Sequence, residues 1–96
     1  MATLHIEHPI SDVETWLTAF ARFADARAEA GVLVERVYQP VDDANYILVD
    51  LEFEGVEGAE KFKEFLETVV WQSPDLSPGL AGAPQARILR RVTTAT

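Results

Sequence analysis

Polar and apolar positions alternate with a period of two in four short stretches of this chain, and recur at helical spacing in two longer ones. Residues 3–7 set Leu4 and Ile6 against Thr3, His5 and Glu7, the pattern of a half-buried strand. Pro9 cannot donate to a ladder and keeps His8 extended, so the strand is expected to end there. Ser11-Asp12-Val13-Glu14 has the form of a capping box, with the Ser11 hydroxyl accepting from the Glu14 amide. A helix is predicted from this point to about Ala30. Its buried stripe is Val13, Trp16, Leu17, Phe20 and Ala24; Arg22, Asp25 and Glu29 lie towards solvent, and Gly31 sits where a left-handed cap is wanted. Residues 32–39 and 46–53 read as two strands of a hairpin, joined through Pro40 and the turn-rich Val41-Asp42-Asp43-Ala44-Asn45. In residues 46–53, Ile47, Val49, Leu51 and Phe53 point one way, and Tyr46, Leu48, Asp50 and Glu52 the other. In the preceding strand Arg36 and Tyr38 are expected to face away from the helices. Gly55 opens a second helix over 56–71, with Ala59, Phe62, Leu66 and Val69 as its stripe, helped by Phe65, and Pro74 stops it. Residues 73–84 hold Pro74, Pro78, Gly79, Gly82 and Pro84 and read as an irregular surface loop. A last strand is predicted over 85–93, and the tail 93–96 is expected to fray.

The resulting order, β-α-β-β-α-β, is the ferredoxin-like arrangement of the α+β class. It predicts one domain over 1–96: a four-stranded antiparallel sheet with two helices on one face. Right-handed crossovers give the spatial strand order 4-1-3-2. The first and third strands are then central neighbours, expected to run parallel, and the second and fourth are edges. Two helices cover only one face of such a sheet. The other face must meet water, a ligand or a second subunit, and a homodimer is the predicted outcome.

Composition narrows the classes of function. The chain has 96 residues, 48% of them hydrophobic and 25% charged, ordinary proportions for one soluble globular domain. A formal net charge of −8 repels phosphate backbones and anionic lipid surfaces, so neither a nucleic-acid nor a membrane partner is expected. No apolar run approaches the roughly 20 residues of a membrane span. No secretory signal is visible and there is no cysteine, so a cytoplasmic protein is expected.

The open sheet face gathers the ionisable groups. His5 and Glu7 lie beside Leu48, Asp50 and Glu52, with Arg36 and Tyr38 on one flank and Arg87 or Arg90 on the other. A histidine beside a carboxylate can serve as a general base, so His5 and Asp50 are the candidate catalytic pair. Glu7, Arg36, Tyr38, Glu52 and Trp71 are candidate ligand-binding residues around a small, largely apolar molecule. The same groups also describe a salt-bridged dimer seam. Trp71 either lines the mouth of a pocket between the second helix, the proline-rich loop and the sheet, or caps the core. Trp16 reads as core, Tyr46 as a residue of the sheet edge or rim, and His8 as a solvated strand-end residue. His5, Glu7, Asp50 and Glu52 are metal-ligand types, but at no recognisable ligand spacing, so no metal site is predicted. No phosphate-cradling glycine loop, nucleophile elbow or dinucleotide fingerprint occurs, and no cofactor is expected.

The order of elements at this length resembles the dimeric α/β-barrel superfamily, ferredoxin-like chains that pack the open sheet faces of two subunits into a barrel. Trp71-Gln72-Ser73-Pro74-Asp75-Leu76 resembles the segment after the second helix in its antibiotic-biosynthesis-type monooxygenases. Leu4-His5-Ile6-Glu7 and Pro40-Val41-Asp42-Asp43 resemble uncharacterised small actinobacterial proteins. The superfamily also includes haem-degrading monooxygenases and polyketide cyclases. The resemblance implies a homodimer, and a cofactor-independent monooxygenase or cyclase-like activity on a small aromatic or polyketide-like molecule. The chain departs from the monooxygenase pattern: it lacks an asparagine on the first strand and a histidine near the end of the second helix. A non-catalytic module for small-ligand binding or dimerisation is the alternative.

Overall fold

The computed structural model describes residues 1–94. The elements run β1 (Ala2–Pro9), α1 (Val13–Arg22), α2 (Ala24–Glu29), β2 (Val32–Tyr38), β3 (Tyr46–Phe53), α3 (Val56–Phe65) with a π-helical extension (Leu66–Val70), and β4 (Gln85–Arg90). The strands form one sheet in the order β2-β3-β1-β4, the expected 4-1-3-2. The expected parallel pairing of β1 with β3 is corrected: they are antiparallel, with His5 opposite Asp50. The helical crossover returns β2 in the direction of β1, and the β2–β3 hairpin then reverses the chain.

In the central strands β1 and β3, alternation sorts the two faces as the sequence predicts. Ala2, Leu4 and Ile6 of β1 and Ile47, Val49, Leu51 and Phe53 of β3 are buried under the helices. Phe53, Leu4, Ile10, Ile47 and Leu51 are the largest fully buried side chains. Each contributes about 1.5–3 kcal/mol by leaving water. Thr3, His5 and Glu7 of β1 and Leu48, Asp50 and Glu52 of β3 lie half-exposed on the open face.

β1 does not stop before Pro9. Pro9 pairs with Tyr46, and the segment beyond is stitched on by Ile10 N–H to Asn45 O (2.8 Å) and Ala81 N–H to Pro9 O (3.2 Å). Proline is tolerated at this strand end because its carbonyl, not its absent N–H, carries the contact. The extra extended residues delay the helix. Ser11 is held by Gly79 O (2.8 Å), and Asp12 replaces it as the cap, its carboxylate accepting from the Thr15 N–H and hydroxyl, both at 2.9 Å.

The single long first helix is also corrected. It breaks at Phe23 into α1 and α2. Leu17 and Ala24, placed on the stripe, are exposed, while Ala19 is buried beside Trp16. The second helix ends in a wide turn closed by Trp71 N–H to Leu66 O, 2.8 Å, an i to i+5 bond. The wider turn shifts the stripe by one residue: Val70 is buried and the predicted Val69 is exposed. β4 ends at Arg90 rather than at Thr93. The expected fraying of the tail falls in part on Ala95 and Thr96, which lie outside the described residues.

Candidate functional site

The open face carries a hydrogen-bonded polar cluster. His5 and Asp50 are direct cross-strand partners, a placement that brings side chains within reach. His5 Nδ1 lies 2.6 Å from Asp50 and His5 Nε2 lies 2.8 Å from Glu7, two residues along the same strand. Carboxylates only accept, so both ring nitrogens donate and the ring is an imidazolium. Burial opposes that charge, but the hydrogen bonds and charges of Glu7 and Asp50 outweigh it and raise the His5 pKa above its ordinary value. Glu7 also accepts from the Tyr46 hydroxyl at 2.7 Å. These two bonds, from His5 first and then Tyr46, hold the Glu7 carboxyl below its usual range, and the same contact raises the Tyr46 phenol.

On the β2 side Arg36 donates to Glu52, and Tyr38 is 51% exposed opposite Leu48. On the β4 side Arg87, not Arg90, pairs with His5 and joins this face; Arg90 pairs with the buried Ala2. His5, Glu7, Arg36, Tyr38, Asp50 and Glu52 therefore share one surface. Trp71 does not join them, because the sheet lies between.

Trp71 instead lines a cavity of about 80 Å³ on the helix side of the sheet. Its walls include Trp16, Phe20, Phe62 and Leu66 from the helices, Ile6, Val49 and Leu51 from the sheet, and Leu76, Ser77, Pro78 and Leu80 from the proline-rich loop. Trp16 stacks on Phe20 with centroids 4.8 Å apart. Trp71 both borders this cavity and packs against the hydrophobic core.

Besides Ser77, two polar residues line this space, His8 and Arg27. His8 was expected in solvent, yet it is 3% exposed. Leu4, Ile6 and His8 continue one alternation, and because β1 runs through Pro9 the third member also turns inward. Arg27 is 5% exposed. It donates from Nε to Glu35 and from a terminal nitrogen to Phe20 O at 2.6 Å, and its guanidinium lies 3.6 Å over the Phe20 ring. Where α1 breaks at Phe23, the Phe20 carbonyl accepts from the Phe23 N–H at 3.2 Å, and Arg27 adds a second, charged donor to it. No helical stripe marked Arg27; the only sequence signal was a basic residue one turn beyond a cluster of aromatic ones.

Among the described residues no group of three or more His, Cys, Asp or Glu side chains is disposed to hold a metal ion. Among them, too, no helix is long and apolar enough to cross a membrane.

No family model matches the chain, and no curated protein matches its sequence. Solved structures match its fold. SnoaB of Streptomyces nogalater, a cofactor-independent oxygenase, superposes with a TM-score of 0.72 at 13% identity, covering 98% of this chain and 95% of that one. A monooxygenase of Streptomyces coelicolor, solved with nanaomycin D, gives 0.65 at 14% identity over 99% and 90%. An antibiotic biosynthesis monooxygenase gives 0.68 at 9% identity over 97% and 100%. The chain shares the ferredoxin-like fold of these structures. At these identities the likeness is one of architecture.

Proposed function

We propose that this protein is a homodimer whose subunits each take a small, largely apolar aromatic molecule between helices and sheet, and that it acts on this molecule as a cofactor-independent monooxygenase or cyclase-like enzyme. The observation that carries the reading is the aromatic-walled cavity with a buried histidine in its lining. Pockets of this composition, apolar with few polar groups, are the usual form of small-molecule sites. The structural neighbours, two of them described as monooxygenases and one as a cofactor-independent oxygenase, support the same direction.

Dimerisation is supported by the uncovered sheet face, where Tyr38, Val34 and Leu89 stand exposed among the charges. In this reading the His5–Asp50 pair and its neighbours Glu7, Arg36 and Glu52 sit at the seam between copies. His5 has both nitrogens engaged there, so it serves as a proton donor or a seam cation rather than as a base. A light-scattering mass near that of one chain at micromolar concentration would remove the dimer.

One observation favours a second reading. The cavity, about 80 Å³, is well below the ~300 Å³ of ordinary ligand sites, as fits a binding or dimerisation module without catalysis. Oxygen uptake separates the two. The protein is incubated in air with hydroquinone, a single-ring dihydroxy compound, and no added cofactor, while intrinsic tryptophan fluorescence reports binding. Uptake above the protein-free rate supports the enzyme, quenching without uptake supports the binding module, and neither leaves only the dimerisation module.

A further inference from the structure

We infer that His8 is the polar anchor of the interlayer cavity: its ring presents an unprotonated Nε2 that accepts a hydrogen bond, or the proton itself, from the hydroxyl of a single-ring ligand. This rests on the cavity being a ligand site, as proposed above.

The tautomer follows from one contact. His8 Nδ1 lies 2.9 Å from the carbonyl oxygen of Pro9. A carbonyl only accepts, so Nδ1 carries the hydrogen and Nε2 of the neutral ring carries a lone pair. Nε2 has no hydrogen-bond partner among the described residues, yet no described polar side-chain atom is both fully buried and unpartnered. Nε2 therefore meets open space, and the space that His8 lines is the cavity. The ring is 3% exposed and its pKa is lowered, first by burial and against the pull of the Pro9 carbonyl, so the acceptor form persists at neutral pH.

The rest of the lining defines what can meet that lone pair. Of the groups facing the cavity among the described residues, only His8 titrates near neutrality. Arg27 on α2 is the one charged side chain, and Glu35 of β2 and the Phe20 carbonyl already hold it. A carboxylate ligand would set its charge against the lone pair, and an organic cation would find no anion in the wall. A neutral hydroxyl donor on an apolar ring satisfies both the acceptor and its surroundings. Size limits the ring count. A cavity of roughly 150 Å³ takes benzene. At about 80 Å³ this one holds at most one ring, when the half-buried 76–80 wall gives. With an acidic phenol the step can go further: the O–H bond breaks, the proton passes to Nε2, and phenolate and imidazolium remain as a pair.

Three probes test this: phenol, anisole and toluene, matched in shape and differing in the hydroxyl. Binding to the intact protein is followed by tryptophan fluorescence and by imidazole nitrogen NMR. Wild type should favour phenol over anisole by about tenfold, the factor that one hydrogen bond left unmade in a buried site produces. His8→Phe should bind anisole and toluene as before and lose the preference. Should that variant fail to fold, wild type answers alone. Its preference should fade as the pH drops below about 6.5 towards the lowered His8 pKa, and phenol should shift the Nε2 resonance and not Nδ1. Equal affinity for phenol and anisole at neutral pH, or a free ring protonated at Nε2, overturns the role of His8 while leaving the cavity a ligand site. Binding of none of the three overturns both.

Discussion

Two glycines with the same backbone but different neighbours offer a controlled measurement. Gly31 and Gly79 both adopt the left-handed region, at φ 95° and 90°. A Cβ built on Gly31 meets nothing within 4 Å. One built on Gly79 falls 3.2 Å from the backbone nitrogen and 3.3 Å from the Cα of Trp16. Alanine at either position takes on the left-handed conformation at about 1–2 kcal/mol. At Gly79 the new methyl also presses on the first turn of α1. Those are main-chain atoms that cannot rotate aside, so the whole turn must shift by a few tenths of an ångström. Overpacking of this kind adds roughly 1–3 kcal/mol. Gly31→Ala should therefore destabilise by about 1–2 kcal/mol and Gly79→Ala by about 2–5 kcal/mol. Urea unfolding of both variants and wild type, at equal protein concentration and followed by tryptophan fluorescence, reads the difference. With a slope of about 1–3 kcal/mol/M, the Gly79 variant should unfold at visibly lower urea than the Gly31 variant. Coincident midpoints would show that the loop moves freely off α1, and the close approach would then explain nothing.

The two histidines should pull pH dependence in opposite directions. The raised pKa of His5 makes its contribution to stability complete below about pH 6.5 and lost as the pH rises through the folded-state value, so a thermal scan across pH 6–9 should show His5→Gln closing its gap with wild type. A gap constant with pH would refute the bridged imidazolium. His8 is the reverse case: its lowered pKa stabilises the fold above about pH 6.5, and the benefit drains away as the pH falls towards the folded value, in a slope that His8→Phe should remove. Phe53→Ala deletes a ring 1% exposed against Phe62 and should lower the unfolding free energy by about 3–5 kcal/mol; a loss under 1 kcal/mol in the same urea assay would contradict its place in the core.

Much of the architecture was legible because it rests on period-two alternation. The two faces of β3 sort residue by residue as read, and His5 meets Asp50 because neighbouring antiparallel strands place them opposite each other. What escaped the sequence depended on where extended chain stops and helix starts. His8 belongs in solvent only if Pro9 ends the strand, whereas the Asn45 and Ala81 contacts carry the chain past it. Ser11 lost the cap to Asp12 for the same reason. Arg27 is invisible to any stripe, because its burial depends on a helix break at Phe23, beside which it bonds the Phe20 carbonyl and covers the Phe20 ring. The direction of β3 relative to β1 was derivable by counting reversals along the chain.

The wide turn at Leu66–Val70 has a consequence for how this molecule can change over time. In a regular helix each residue advances by about 100° around the axis. The i to i+5 bond therefore stores one surplus residue, and removing it would swing everything after the turn by about that angle. Val70 and Trp71 would leave the cavity wall together, while the strands and their pairing stayed intact. Point substitution can only trim this wall, one side chain at a time. A deletion or insertion of a single codon in this segment exchanges one wall for another in a single step, so it is the lineage's length variation here, more than its residue variation, that should track changes in what the cavity admits.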